Sequence, residues 1–353
     1  MADGRVRYGM IGCGEIAVQA FDALMGAGNG ALAATFDVKQ ELAEDLAGRT
    51  DGAVACGSQD ELLARSDVEA VIVSTPHYLH APIAIAALEA GKHALVEKPI
   101  ARGVVEAQAM VDAAAAAGRK LGCCFVRRYA LPTEPIRRFV AAGHLGDIFG
   151  WVIIGMGYKQ PSYWTGGYTQ RAKTVWRMGL ETAGGGFLIM NTIHTIDLLR
   201  YVTEQEVVGA SAAGGTYNSP AEVEVEDLFS ASVTLSGGGT GIIAGGSSVW
   251  GGGLNETRLI GTKGQLVLDS SARKGPAVFV SEAVQFEGKS LPAGEWTDVD
   301  FADGEAANAR THLIEGFGRW VKGEAEFLAP GEDALKTLAA CEAIYRDAGL
   351  FPG

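Results

Sequence analysis

The chain has 353 residues, 48% of them apolar and 20% charged, with 29 Lys plus Arg against 42 Asp plus Glu. That length suits two domains, and that apolar share suits a packed core rather than a disordered chain. A net charge of −13 argues against the basic stripe of a nucleic-acid binder and the polybasic face of a membrane-surface protein.

Arg5 to Ile11 (RVRYGMI) reads as a strand, followed by a glycine turn and a helix from about Ile16 to Met25. Ala31 to Phe36 is a second strand and Gln40 to Leu46 a helix. Glu69 to Ser74 is a third long strand, Ala81 to Ala90 an alanine-rich helix, and His93 to Val96 a strand. Val104 to Ala117 is helical and Lys120 to Phe125 extended. This alternation predicts an α/β fold of βαβ units, a parallel sheet with helices on both faces.

The texture changes near residue 125. A helix over Thr133 to Ala142 leads into strands separated by glycine-rich turns: Phe149–Gly155, Val207–Ala213, Leu228–Leu235, Gly241–Ala244, Glu256–Ile260 and Gln265–Leu268. Strands that follow one another without helices predict an antiparallel sheet. Phe187–Tyr201 and Leu335–Ala348 read as helices, so this half is expected to be α+β. The expected domains are 1–124 and 125–353.

Apolar runs are too short for a membrane span, and the first residues enter a strand pattern with no signal-peptide character. The five cysteines (Cys13, Cys56, Cys123, Cys124, Cys341) show neither a disulfide framework nor a metal spacing. A reduced, cytoplasmic protein without a metal site is expected. No G-x-S-x-G elbow points to a serine hydrolase.

The sharpest local signal is Gly12-Cys13-Gly14-Glu15-Ile16-Ala17, the G-x-G-x-x-A form of the dinucleotide fingerprint. Gly12 allows the tight turn, Gly14 lets backbone approach a pyrophosphate, and Ala17 permits close helix–strand packing. The helix N-terminus then offers N–H groups to the phosphates. Asp37, 23 residues after Gly14, can accept from ribose hydroxyls and would repel a 2′-phosphate, which predicts NAD over NADP. Lys39 nearby could reach such a phosphate.

Two further segments matter: Ser74-Thr75-Pro76-His77-Tyr78-Leu79-His80, and Gly91-Lys92-His93-Ala94-Leu95-Val96-Glu97-Lys98-Pro99. With the fingerprint, they resemble the family of glucose–fructose oxidoreductase, inositol dehydrogenase and the rhizopine-catabolism oxidoreductases (Gfo/Idh/MocA). The resemblance continues through Trp176-Arg177, Gly184-Gly185-Gly186, His194, Asp197-Leu198-Leu199, Glu226-Asp227 and Gly261-Thr262-Lys263-Gly264, nearly the whole chain. It implies an N-terminal Rossmann domain and a C-terminal domain with a large, open, mostly antiparallel sheet. Members pair through that sheet as homodimers or homotetramers. Most are dehydrogenases that oxidise a CH–OH group of a sugar, inositol or similar polyol with NAD or NADP, or run the reverse.

The resemblance also implies roles. Lys98 would donate to the reacting oxygen and stabilise its developing charge. His194 would exchange the hydroxyl proton, since imidazole titrates near neutrality; alcohol oxidation should then rise with pH. Glu97 would orient the loop or contact a cofactor ribose, and Pro99 would fix the backbone, in many members through a cis bond. Ser74, Thr75, Pro76, His77 and His80 would line the cofactor cleft, with Trp176 and Arg177 near the nicotinamide. Tyr163, Trp164 and Tyr168 suit a carbohydrate, or pack between domains. Arg127 reaches cofactor or substrate, or forms surface salt bridges, and His312 approaches the cleft from a late helix.

One position departs from the pattern. Inositol dehydrogenases carry an aspartate four residues before the histidine; here it is Met190, which cannot accept a proton. Asn191, a candidate substrate contact, would lie about 100° around an α-helix from that position. The expected activity is NAD-dependent oxidation of a sugar, glycoside or cyclic polyol. The alternatives are sugar oxidation, elimination and re-reduction with retained NAD, turnover of a non-sugar cyclic substrate such as a dihydrodiol, and a non-catalytic dinucleotide sensor or scaffold.

Overall fold

Runs such as VRYGMI and AVIV bury nearly every side chain, as strands covered on both faces must. The computed structural model describes residues 4–251, 253–302 and 308–350. The chain divides into two units, described separately below. In chain order the first elements are β1 (Val6–Ile11), α1 (Glu15–Gly26), β2 (Gly30–Phe36), α2 (Gln40–Ala47), β3 (Val54–Ala55) and α3 (Gln59–Ala64). There follow β4 (Ala70–Val73), α4 (His80–Glu89), β5 (His93–Val96), α5 (Val104–Ala117) and β6 (Leu121–Cys123).

Their strands form a six-stranded parallel sheet in the order β3-β2-β1-β4-β5-β6. The order reverses between β1 and β4, and open α/β sheets bind ligands at such a switch point, beyond the carboxyl ends of the strands. The two-residue β3 and the short α3 were not expected. They carry too few residues for a periodic signal, and α3 declares itself only through its cap, where Ser58 accepts from Glu61 N at 3.1 Å. Two later segments, Ser162–Gly184 and Ala307–Leu338, belong to this same unit.

The remaining elements are α6 (Thr133–Ala141), β7 (Ile148–Met156), α7 (Pro161–Gly166), α8 (Leu180–Ala183), a π-helical turn (Leu188–Thr192) and α9 (Ile193–Thr203). Then come β8 (Val207–Gly215), β9 (Leu228–Leu235), β10 (Thr240–Gly246), β11 (Leu254–Gly261), β12 (Gly264–Ser270), β13 (Ala277–Val280), β14 (Val284–Phe286), β15 (Lys289–Leu291) and β16 (Trp296–Asp298). The last helices are α10 (Ala309–Val321) and α11 (Gly331–Asp347).

The second unit is built on an eight-stranded sheet, β16-β13-β12-β11-β7-β10-β9-β8. Its pairs are antiparallel apart from β7 with β10, which run parallel because a long crossover joins them. Along β9, Phe229, Ala231, Val233 and Leu235 point into the core while Ser230, Ser232 and Thr234 face out. Trp151, Ile153 and Ile243 join the inner layer, whereas Phe149, Val208 and Ile242 are exposed. One face is therefore core and the other is uncovered in the single chain. Among the described residues, no helix is long and apolar enough to cross a membrane.

Candidate active site

The first unit holds a cavity of about 440 Å³ at the switch point. Gly12 leaves β1 with φ +86°, and a Cβ there would lie 2.7 Å from the backbone of Ser74 after β4, so the turn needs glycine. A Cβ on Gly14 would meet only Ala172, at 3.6 Å; what this glycine keeps open is the cleft. Gly14 is the N-cap of α1 and supplies no side chain to it, so the helix terminus remains available to an anion.

Asp37 orders this loop. Its Oδ2 accepts from Cys13 N at 2.7 Å and its Oδ1 from Lys39 N at 2.8 Å. A carboxylate has about four acceptor sites, so two remain for ribose hydroxyls. Ser74 Oγ and Thr75 Oγ1 are buried without a hydrogen-bond partner, and both residues line the cavity. Such orphaned hydroxyls, beside a cradle that a side chain would fill, fit a dinucleotide.

The cavity wall contains Gly12, Gly14, Glu15, Ile16 and Asp37, then Ser74, Thr75 and Pro76, and finally Trp176 and Arg177. These were all expected from the sequence as cofactor contacts. Gly166, Ala172 and Thr174 also line it and were missed, because no periodicity shows that residues 162–184 return to the first unit. Arg177 stacks its guanidinium over Trp176 (4.5 Å) and Tyr163 (5.2 Å). Tyr163 and Trp164 are themselves buried, whereas Tyr168 is exposed.

Four expected contacts, His77, His80, Glu97 and Lys98, are not among the residues that line this wall. His77 Nδ1 lies 2.7 Å from Ala183 O, and its ring packs against Trp176. Burial holds its pKa well below the ordinary imidazole range. His80 lies between two carbonyls, with Nδ1 2.7 Å from Pro99 O and Nε2 3.0 Å from Thr75 O. Burial lowers its pKa too, against those two acceptors. Glu97, next to Lys98, is buried in an ion pair with Arg310 of α10. The Lys98–Pro99 bond is cis.

Arg127 is exposed, while its neighbour Arg128 is buried against Asp333 at 2.5 Å and Leu328 O at 2.6 Å. His312 is half-buried on α10. His144, which had no assigned role, packs among Phe139 and Phe286 in the second unit.

In the second unit Gly185 and Gly186 make room for two buried groups. A Cβ at Gly185 would meet Tyr345 OH at 2.3 Å, and one at Gly186 would meet Glu226 O at 1.9 Å. The Glu226 carboxylate accepts from Gly186 N (2.6 Å), Leu188 N (2.8 Å) and Tyr345 OH (2.9 Å). It thus caps the helical segment that carries His194. Burial nevertheless pushes its pKa up to about 7, against the lowering effect of those donors.

The turn before His194 is π-helical, over Leu188–Thr192. Met190 is buried, whereas Asn191, His194 and Leu198 are half-buried in one i, i+3, i+7 stripe. Asn191 therefore shares the partly exposed face with His194, and Met190 belongs to the core. π-Helical turns of this kind occur often at functional sites.

Residues 6–125 match the family described as "Oxidoreductase family, NAD-binding Rossmann fold", and residues 134–267 match the "GFO/IDH/MocA C-terminal domain". The chain belongs to the Gfo/Idh/MocA family. It is 28% identical over 345 residues to 1,5-anhydro-D-fructose reductase of Ensifer adhaerens, covering 97% of this chain and 96% of that one. It is 26% identical, with the same coverage, to inositol 2-dehydrogenase of Rhizobium meliloti (strain 1021). The crystal structure of aldose-aldose oxidoreductase from Caulobacter crescentus, complexed with glycerol, superposes with a TM-score of 0.78 at 26% identity over 98% of both chains. This Gfo/Idh/MocA protein is an NAD-binding oxidoreductase of the CH–OH dehydrogenase type.

Proposed function

We propose that the protein oxidises a secondary hydroxyl of a sugar, glycoside or cyclic polyol, or reduces the matching ketone, with Lys98 and His194 as its catalytic residues. The observation that carries this reading is the chain of contacts Thr75 O–His80–Pro99 O. Thr75 is part of the cavity wall, so His80 fixes the turn containing Lys98 to the residues that line the dinucleotide site. The relatives named 1,5-anhydro-D-fructose reductase and inositol 2-dehydrogenase support a polyhydroxylated ring as substrate.

Bound NAD supplies the hydride acceptor. Gly12, Gly14, Asp37, Ser74 and Thr75 would hold it. The Lys98 ammonium donates to the reacting oxygen and stabilises the charge that develops there. His194 takes the hydroxyl proton in oxidation and returns it in reduction. Asn191, three residues before His194 on the same stripe, offers an amide donor and acceptor to a neighbouring hydroxyl. The uncovered sheet face with Phe149, Val208 and Ile242 suits pairing of two or four copies of the chain, which sedimentation velocity would detect.

The test is a panel of inositols, free hexoses, anhydrosugars and glycosides with NAD and NADP, recording NADH at 340 nm and the identity of the product. NAD-dependent turnover of a polyhydroxylated ring is expected. Failure of every ring, with turnover of a dihydrodiol or cyclic imine, would contradict the reading.

A further inference from the structure

Residues 162–177 lie along the wall of the dinucleotide cavity, where Gly166, Ala172, Thr174, Trp176 and Arg177 face the same space as Gly12 and Gly14. Three sets of bonds tie this segment to the loops that would grip the nucleotide. The Glu15 carboxylate accepts from Tyr168 N (2.9 Å) and Thr169 N (3.2 Å). Arg171 donates through Nε to Cys13 O (3.0 Å) and through Nη2 to Asp45 on α2 (2.6 Å). Lys39 Nζ donates to Lys173 O at 3.1 Å. Gly167, at φ +74°, is where a Cβ would strike Glu15 Oε2 at 2.1 Å.

Glu15 is otherwise awkward. An anion in the first turn of α1 stabilises the helix but repels phosphates at the same terminus. Its two bonds to the N–H groups of Tyr168 and Thr169 direct that charge onto the segment. Each tie is partly exposed, so none is strong by itself, as a loop that closes over a ligand and reopens requires.

We propose that residues 162–177 form a strap over the bound dinucleotide, and that the Arg171–Asp45 tie sets how fast the nucleotide leaves. Arg171 and Asp45 act as positioning residues, holding the strap against the glycine loop. The proposal rests on the NAD-binding reading of this cavity. It goes beyond that reading by making nucleotide exchange a gated step rather than simple diffusion from an open cleft.

The experiment is stopped-flow displacement of NADH from the intact protein by excess NAD, followed by NADH fluorescence. Arg171→Ala and Asp45→Ala are compared with the wild type, together with hydrogen exchange at the Tyr168 and Thr169 amides. Dissociation about fivefold to tenfold faster is expected in Arg171→Ala, with faster exchange at both amides and an unchanged far-UV spectrum. Asp45→Ala separates the strap from bulk charge. Removing an anion near a phosphate site slows release if charge alone matters, whereas a loosened strap speeds it. Slower release in Asp45→Ala, or rates within about twofold of wild type in both variants, would overturn the proposal. A wild type that binds no NADH would overturn the cavity reading beneath it, before any variant is compared.

Discussion

The Tyr345 hydroxyl donates to Glu226 at 2.9 Å and lies 3.2 Å from Ile189 N, so one phenol joins the capping carboxylate to the turn that leads to His194. Tyr345→Phe leaves a buried acceptor and a buried N–H short of a partner. It should cost about 1–3 kcal/mol of stability, read by urea unfolding. It should also lower kcat more than it raises KM, because the helix of His194 shifts without loss of substrate contacts. A variant as stable and as active as wild type would remove this clamp from the account.

Glu226 gives a pH signature. Its pKa stands near 7 in the fold against an ordinary 4.5, so folding favours the protonated form. That contribution is full below about 4.5 and is lost as pH rises through about 7. Glu226→Gln cannot titrate. The stability advantage of wild type over this variant should therefore be largest at pH 4.5 and below and decline towards pH 8, measured by chemical denaturation at each pH. An advantage that grows with pH would show that the three donors outweigh burial.

The half-buried His93 acts in the opposite sense. Burial, helped by Arg119 and Lys120, lowers the pKa of His93 to about 4, and its Nδ1 accepts from Lys120 N at 2.9 Å. Stability from such a base is present above its unfolded value of 6.5 and is lost as pH falls through about 4. His93→Asn keeps an acceptor and removes the titration. Thermal melts between pH 7 and pH 4.5 should show a smaller loss in this variant than in wild type.

Asp37 is expected to set coenzyme preference. Asp37→Ser removes the charge that repels a 2′-phosphate and also an acceptor for Cys13 N. The ratio of kcat/KM for NADP to that for NAD should rise by about tenfold or more, with part of the change a loss with NAD. Wild-type kcat/KM higher with NADP than with NAD would contradict the assignment.

Asn191, half-buried like His194, lies on the partly exposed stripe of His194, whereas Met190 is buried. Asn191→Ala should raise KM and change the order of preference among substrates that differ at one hydroxyl. Met190→Asp places a carboxyl in the core and should cost stability, because a buried charge without partners is expensive. Parallel unfolding and steady-state measurements on the two variants distinguish these outcomes.

Much of this was legible in the sequence. His93–Val96 and Val104–Ala117 occur at the bounds their patterns predict, and the fingerprint lies between a strand and a helix as required. β13 to β16 were not foreseen, because strands of three or four residues carry no alternation. The Glu97–Arg310 pair and the ties of Arg171 join residues far apart in sequence, which local periodicity cannot connect. The π turn was invisible for a different reason: its residues have an ordinary amphipathic spacing, and only backbone hydrogen bonding distinguishes it from an α-helix.

The most direct measurement is single-turnover hydride transfer, followed at 340 nm, with the polyhydroxylated substrate found by the panel and protein saturated with NAD. Lys98→Met is expected to reduce that rate by about 10²–10³-fold, with NAD affinity and folding unchanged. A rate equal to that of wild type would contradict the role of Lys98 and the mechanism built on it.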